Sequence, residues 1–149
     1  MQKSPSLAKP ATDRASEQTR ERSLRILLVE DDRDTVETFT MLLKAEGYDI
    51  RFAYDGPSGL EAARTYEPDA VLLDIGLPGM NGFDLARQIR QQCGSKRPFL
   101  IAITAYGDEK SRKCSEQVGI DLHLVKPIEM EGLQMVLEKF RTVLRPELE

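Results

Sequence analysis

The chain has 149 residues, of which 40% are hydrophobic, so it is long enough for one globular domain with a core and a tail. Its formal net charge of −4 supplies no basic face, which argues against direct contact with nucleic acid. No apolar run approaches the roughly 20 residues of a membrane span, and a signal peptide is absent, so we expect a soluble, cytoplasmic protein without membrane contact. Cys93 and Cys114 form no CxxC pair, which predicts free thiols.

The N-terminal segment 1–23 differs from the rest of the chain in composition. Leu7 is its only Leu, Ile, Val or Phe, among Ser, Thr, Pro and charged residues. Such a segment cannot bury enough apolar surface to offset the entropy lost on ordering. The sequence therefore predicts a disordered leader or linker over 1–23, a folded domain over 24–145 and a short tail over 146–149.

The first predicted strand–helix unit begins with the apolar run Arg25–Val29, which is typical of a central strand. Apolar residues at helical spacing follow, with Asp34 as the expected N-cap and Gly47 just past the expected C-terminal end. A second strand is predicted over 49–54. A short helix is predicted over 57–66, stopped by the proline that follows.

The third predicted strand is a continuous Val- and Leu-rich run that ends on one carboxylate, Asp74, and is expected to be buried on both faces. A loop rich in breakers follows at once, with Gly76, Pro78, Gly79 and Gly82. A helix is then expected from Phe83 to about Cys93. The fourth strand is predicted over 99–103, with Thr104 at its tip.

The last part of the chain holds one weak and one strong helical pattern. Residues 108–118 have only Cys114 and Val118 as clear apolar anchors, which predicts a weakly held helix. A fifth strand over Leu122–Val125 ends at Lys126 and Pro127. The closing helix has the most regular apolar spacing, at Leu133, Val136, Leu137, Phe140 and Leu144.

This alternation of five strands and five helices predicts an α/β fold, with a parallel sheet between two layers of helices. The C-terminal ends of parallel strands lie at one edge of the sheet. That edge is expected to collect the polar residues that follow the strands, namely Glu30, Asp31, Asp32, Asp74, Thr104 and Lys126.

Carboxylates that converge in one crevice either raise each other's pKa or recruit a cation, and oxygen ligands favour Mg²⁺. With a metal present, Asp74 can act as a nucleophile toward phosphorus. Lys126 can balance charge on the phosphoryl oxygens, and Thr104 can donate a hydrogen bond to them. No further acid or base stands out to activate water, so release is expected to be slow, as in a stored signal.

Four motifs in this order closely resemble the receiver domain of two-component response regulators and hybrid histidine kinases. They are Val29-Glu30-Asp31-Asp32, the stretch from Leu72 to Gly82, Thr104-Ala105 and Lys126-Pro127. The resemblance runs from about Leu24 to Leu144. It implies a flavodoxin-like (βα)5 sandwich with strand order 2-1-3-4-5.

The resemblance also implies a role for each site residue. Asp74 corresponds to the phospho-acceptor, Lys126 to the residue that pairs with the phosphoryl group, and Thr104 to the switch hydroxyl. The implied Mg²⁺ ligands are Asp31 and Asp74 directly, Glu30 through water, and the carbonyl of Gly76. Lys126-Pro127 resembles the family's cis peptide. Asp32 lies one place beyond the usual acidic pair, and helix capping or solvated charge is its alternative reading.

His123 departs from the family pattern, which usually has Tyr or Phe three places before the conserved Lys. It is either a half-buried structural ring or a substitute rotamer switch with some pH sensitivity. Implied partners are a histidine kinase or phosphotransfer protein, and a downstream effector that meets the helix 108–118, the fifth strand and the closing helix. A phosphorylation-dependent dimer, a stand-alone receiver and a piece of a longer protein all stay open.

Three other functions are alternatives to a phosphorelay switch. A metal-dependent phosphohydrolase of the haloacid-dehalogenase kind needs a second Asp two places after the nucleophile, where this chain has Gly76. A flavodoxin needs a phosphate loop after the first strand, where Glu30 and its acidic neighbours would repel phosphate. The third alternative is a binding module that keeps the fold without being phosphorylated.

Overall fold

A computed structural model describes residues 23–105, 107 and 109–144 of the chain. Most of the predicted leader 1–23 and the whole predicted tail 146–149 therefore lie outside the described residues. None of the described helices is both long enough and apolar enough to cross a membrane.

Five strands and five helices alternate along the described part of the chain. The strands are β1 Arg25–Val29, β2 Asp49–Ala53, β3 Ala70–Asp74, β4 Phe99–Thr104 and β5 Leu122–Val125. The helices are α1 Arg33–Ala45, α2 Gly56–Tyr66, α3 Gly82–Gln92, α4 Glu109–Gln117 and α5 Met130–Leu144.

The strands form one parallel sheet in the order β2-β1-β3-β4-β5, which confirms the predicted flavodoxin-like topology. Val29 pairs with Leu73, Asp74 pairs with Ile103, and the last residue of β4 pairs with Val125 of β5. This register brings the C-terminal ends of four strands to one edge, at neighbouring positions. Crossover helices cover both faces of the sheet.

The core consists of two apolar clusters, one on each face of the sheet. Residues of α1 and α5, such as Leu43 and Leu137, pack on one face. Residues of α3, such as Leu85 and Ile89, pack on the other. All five residues of β3 are buried, because helices cover this strand on both sides.

The structure corrects the predicted start of α1. The N-cap position is Asp32 and not Asp34, which lies in the first helical turn. Asp32 binds the Thr35 hydroxyl, which donates to Asp32 Oδ2 over 2.5 Å, and its side chain accepts no capping bond from the backbone. Strand β1 ends at Val29, three residues before the cap, and the helix begins at Arg33, two residues sooner than expected. At the other end of α1, Gly47 follows the helix with a φ of +94°, as predicted.

Several other boundaries differ slightly from the predictions. Strand β2 ends at Ala53, one residue before the predicted end, and β4 includes Thr104. Helix α4 is shorter than the predicted 108–118; position 108 lies outside the described residues. Its buried residue is Ser115, whereas Cys114 is only half-buried and Val118 follows the helix. Within α4 a polar residue therefore faces the sheet, while Val118, one residue past the helix, is buried in the apolar core as predicted.

Candidate functional site

Asp74 lies at the C-terminal end of β3 and is 6% exposed. The Gly76 N–H donates to its Oδ1 over 2.9 Å, and the Lys126 ammonium donates to its Oδ2 over 3.3 Å. Each carboxylate oxygen therefore has a donor, and both donors come from segments that follow strand ends. A carboxylate held in this way has a defined orientation toward the crevice at the sheet edge.

Glu30 and Asp31 complete an acidic cluster with Asp74. One ligand oxygen from each of the three lies within 4.8 Å of the others. Glu30 is buried directly after β1; the Asp32 N–H donates to its Oε2 over 3.1 Å, and Lys126 Nζ lies 4.0 Å from its Oε1. Asp31 is exposed. The cluster thus joins two buried carboxylates to one that faces solvent.

The electrostatics of this cluster are unfavourable without a cation. Burial, together with the negative charge of Asp74 and a hydrogen bond with Asp31, raises the pKa of Glu30 from 4.5 to about 7. The Asp32 N–H and the charge of Lys126 act in the opposite direction. Since one lysine faces three carboxylates, the site carries an excess of negative charge that a divalent cation would offset.

The residues present fit a magnesium ion. Mg²⁺ prefers oxygen ligands at about 2.1 Å, so ligands of one ion are at most about 4.2 Å apart, and three oxygens that lie within 4.8 Å of one another need only a small adjustment to share it. It is usually held by only one or two carboxylates together with waters, which the exposed side of Asp31 leaves room for. The described residues contain no thiol or imidazole in the cluster that would favour a softer metal.

The loop after Asp74 is closed by backbone contacts that require glycine. The Ile75 N–H donates to the carbonyl of Ile103, and the Gly82 N–H donates to the carbonyl of Ile75 over 3.1 Å. A Cβ on Gly82 would lie 2.5 Å from the Cα of Ile75, so no larger residue fits. Gly79 has a φ of +84°. These features return the chain to α3 directly beside the site, as the cluster of breakers predicts.

Thr104 and Lys126 follow neighbouring strands. Thr104 ends β4 and is 3% exposed; its carbonyl accepts a hydrogen bond of 2.7 Å from the Lys126 N–H. The Lys126–Pro127 peptide bond is cis, as the resemblance implies. The Lys126 side chain is 41% exposed, so its ammonium reaches the acidic cluster from the solvent side.

His123 lies on β5, away from the acidic cluster, and is half-buried. Its Nδ1 shares a hydrogen bond of 3.1 Å with the hydroxyl of Ser115 on α4. Sequence reasoning missed Ser115, because a serine in a polar helix gives no signal of burial. The structure thus brings Glu30, Asp31, Asp74 and Lys126 together, places Thr104 on the adjacent strand, and connects His123 to α4.

A groove of about 510 Å³ adjoins the site between α1 and the segment after β5. Glu30 and Lys126 line its end nearest the acidic cluster, while Phe39 and Ile128 give it an apolar wall. The groove is therefore next to Asp74, since Lys126 lines the groove and also binds the Asp74 carboxylate.

Comparisons with known proteins agree with this geometry. The response regulator ArlR of Staphylococcus saprophyticus is 37% identical over 121 residues, which is 81% of this chain and 52% of that protein. ArlR of Staphylococcus aureus is 36% identical over the same length. The chain thus spans about half the length of these curated relatives.

Solved structures show the same fold. The chemotaxis protein CheY4 of Vibrio cholerae superposes with a TM-score of 0.75 at 25% identity, covering 79% of this chain and 98% of that one. The receiver domain of a sensor histidine kinase of Pseudomonas aeruginosa has a magnesium ion coordinated in its active site cleft. It superposes with a TM-score of 0.71 at 31% identity, covering 79% of this chain and 97% of that one. The model of the response regulator receiver domain matches residues 26–138, and the chain belongs to this family of signalling proteins.

Proposed function

We propose that Asp74 accepts a phosphoryl group from the phosphohistidine of a histidine kinase or phosphotransfer protein. A carboxylate oxygen of Asp74 attacks phosphorus, the bond between phosphorus and the imidazole nitrogen breaks, and the imidazole leaves with the electron pair. The observation that carries this proposal is the position of Lys126, whose ammonium lies 3.3 Å from Asp74 Oδ2. A fixed cation beside a buried carboxylate suits the transfer of a negatively charged group.

Four residues would hold Mg²⁺ in this proposal: Asp31 and Asp74 directly, Glu30 through water, and Gly76 by its carbonyl. When bound, the ion would neutralise negative charge on the oxygens of the phosphoryl group during its transfer. Lys126, whose ammonium already contacts Asp74, would pair with the phosphoryl group. Thr104, buried at the end of the adjacent strand, donates its hydroxyl to a phosphoryl oxygen after transfer.

The proposed activity is limited to the chain's own phosphorylation and its slow reversal. Among the described residues, the carboxylates near Asp74 belong to the proposed metal cluster, and residue 76, where a phosphohydrolase would carry an acid–base, is glycine. Water is therefore activated poorly, and the acyl phosphate persists long enough to act as a signal.

Cys93 and Cys114 are free thiols, which suits a reducing compartment such as the cytoplasm.

The proposed partners use two different surfaces. The phosphoryl donor docks over the groove between α1 and the segment after β5, because this groove leads directly to the acidic cluster. The downstream effector meets α4, β5 and α5. Helix α4 has few buried apolar side chains, so its packing on the sheet can shift between two arrangements when Asp74 is modified.

The decisive experiment is intact mass spectrometry of the chain after incubation with acetyl phosphate and Mg²⁺. We expect a gain of one phosphoryl group that Asp74→Asn abolishes. Asp84→Asn is the matched control, since Asp84 is an exposed aspartate on α3 that binds Arg87 and lies outside the acidic cluster. No gain in the wild type would leave the non-phosphorylated binding module as the better function, and a gain that survives Asp74→Asn would refute Asp74 as the acceptor.

A further inference from the structure

Helix α4 is attached to the sheet by a polar contact. Its residues are strongly polar, and Ser115, which is 3% exposed, is the buried side chain of the helix. The Ser115 hydroxyl shares a hydrogen bond of 3.1 Å with Nδ1 of His123. Because little apolar surface holds this helix, one hydrogen bond contributes a large share of its attachment.

His123 connects this contact to the candidate site. It pairs with Ala102 on β4, and side chains two residues apart on a strand share a face. His123 therefore lies on the same face of the sheet as Thr104, which is two residues beyond Ala102. In the proposed function the Thr104 hydroxyl binds a phosphoryl group on Asp74, so Thr104 changes its contacts on the same face of the sheet that carries His123.

The segment before α4 also contacts β5. A Cβ on Gly107 would lie 2.7 Å from Cγ2 of Val125, and Arg112 Nε donates to the carbonyl of Gly107 over 3.3 Å. Val125 pairs with Thr104 in the sheet. Gly107, before α4, thus lies beside Val125, and Ser115, within α4, binds His123. Both of these β5 residues pair with the last residues of β4.

We propose that Ser115 is a positioning residue that holds α4 against β5 through His123, and that this hydrogen bond opens when Asp74 carries a phosphoryl group. This inference rests on the proposed function and specifies how the same site is regulated. It also assigns a role to His123. Its imidazole holds α4 in the unmodified protein and loses this contact when Asp74 carries a phosphoryl group.

Thermodynamic linkage gives this proposal a measurable consequence. If modification of Asp74 opens the bond, then removal of the bond must favour modification of Asp74 by the same factor. The net contribution of one hydrogen bond corresponds to roughly two- to tenfold in an equilibrium constant. A purely structural role of Ser115 would weaken the fold and leave the affinity at Asp74 unchanged or lower.

The first measurement uses the fact that the chain contains a single histidine. In protein labelled with ¹⁵N-histidine, all imidazole signals come from His123. Beryllium fluoride with Mg²⁺ serves as a stable tetrahedral analogue of the phosphoryl group. We expect the Nδ1 signal to move from a hydrogen-bonded to a solvated position on addition of this analogue.

The second measurement compares variants on either side of the bond. Ser115→Ala and His123→Phe should each bind beryllium fluoride roughly two- to tenfold more tightly and exchange the amides of α4 faster. The double variant should add nothing further, because both changes remove the same bond. Gln117→Ala, which changes an exposed polar residue of the same helix, should behave as the wild type.

The outcomes separate this proposal from the proposed function. If the wild type binds the analogue at Asp74 while the His123 signal and the Ser115→Ala affinity stay unchanged, the role of Ser115 is refuted and the phospho-acceptor stands. Additive effects in the double variant also refute it. If the wild type takes neither the analogue nor a phosphoryl group, the proposed function fails, and the opening of the bond fails with it.

Discussion

The ammonium of Lys126 lies 3.3 Å from Oδ2 of Asp74, although 52 residues separate the two in sequence and β4 lies between their strands. The same nitrogen lies 4.0 Å from Oε1 of Glu30. Lys126 therefore acts as the internal counter-ion of two buried carboxylates. A metal ion held by Glu30, Asp31 and Asp74 would add positive charge to that of the lysine.

Lys126→Met is expected to reduce phosphorylation by acetyl phosphate roughly 100-fold, the loss typical of one group that stabilises charge in a transition state. Its Mg²⁺ affinity should stay the same or become tighter, because the variant leaves the carboxylates and removes a competing cation. Isothermal titration with Mg²⁺ and a time course of phosphoryl gain measure the two quantities. Lys96→Met is the matched control, since Lys96 binds the buried carboxylate of Asp69 elsewhere in the fold.

Mg²⁺ is expected to stabilise the fold through the acidic cluster. At a concentration ten times its dissociation constant, the ion should raise the free energy of unfolding by about 1.4 kcal/mol. Asp31→Asn should remove most of this gain, because Asp31 contributes one of the three clustered carboxylates. Asp32→Asn should keep it, since Asp32 binds Thr35 instead. Urea unfolding with and without Mg²⁺ tests this, and equal losses in both variants would contradict the assignment.

The fold and the composition of the site edge could be predicted from the sequence for a simple physical reason. Fully buried parallel strands appear as short apolar runs, and the residue after each run must lie at one edge of the sheet. This pattern predicts that Asp74 and Lys126 lie at the same edge of the sheet, and the structure shows that they are in contact.

Features that depend on side-chain direction could not be predicted in this way. Three consecutive acidic residues follow β1, and only the point where the backbone turns decides that Asp32 occupies the cap position and not Asp34. The polar pattern of α4 gives no indication of which face is buried, so Ser115 and its bond to His123 became visible only in the structure.

Gly82→Ala is expected to destabilise the fold by about 1–3 kcal/mol, the usual cost of overpacking. A Cβ there would lie 2.5 Å from the Cα of Ile75 and 2.8 Å from the carbonyl oxygen of Asp74, which are backbone atoms that cannot move aside. Gly132→Ala is the control, because a Cβ at Gly132 on α5 meets nothing within 4 Å and should stabilise the helix by up to about 1 kcal/mol. Urea denaturation measures both, and a neutral Gly82→Ala would show that the loop can relax.

Two arginines that share one carboxylate are expected to differ strongly in their effect on stability. Arg90 donates to Asp121 Oδ2 over 2.7 Å and to the carbonyls of Gly119 and Pro98, and its side chain is 14% exposed. Burial lowers the pKa of Arg90, so its guanidinium depends on these partners. Arg90→Met should therefore cost about 1–3 kcal/mol, because the carbonyls of Gly119 and Pro98 lose their charged donor.

Arg97 lies 3.4 Å from the other oxygen of Asp121, and its side chain is 58% exposed. Arg97→Met should change the free energy of unfolding by no more than about 0.5 kcal/mol, because solvent screens an exposed pair. Urea unfolding of the two variants side by side is the measurement. Comparable losses would mean that the charge of Asp121 stabilises the fold, and that the carbonyl contacts of Arg90 contribute little.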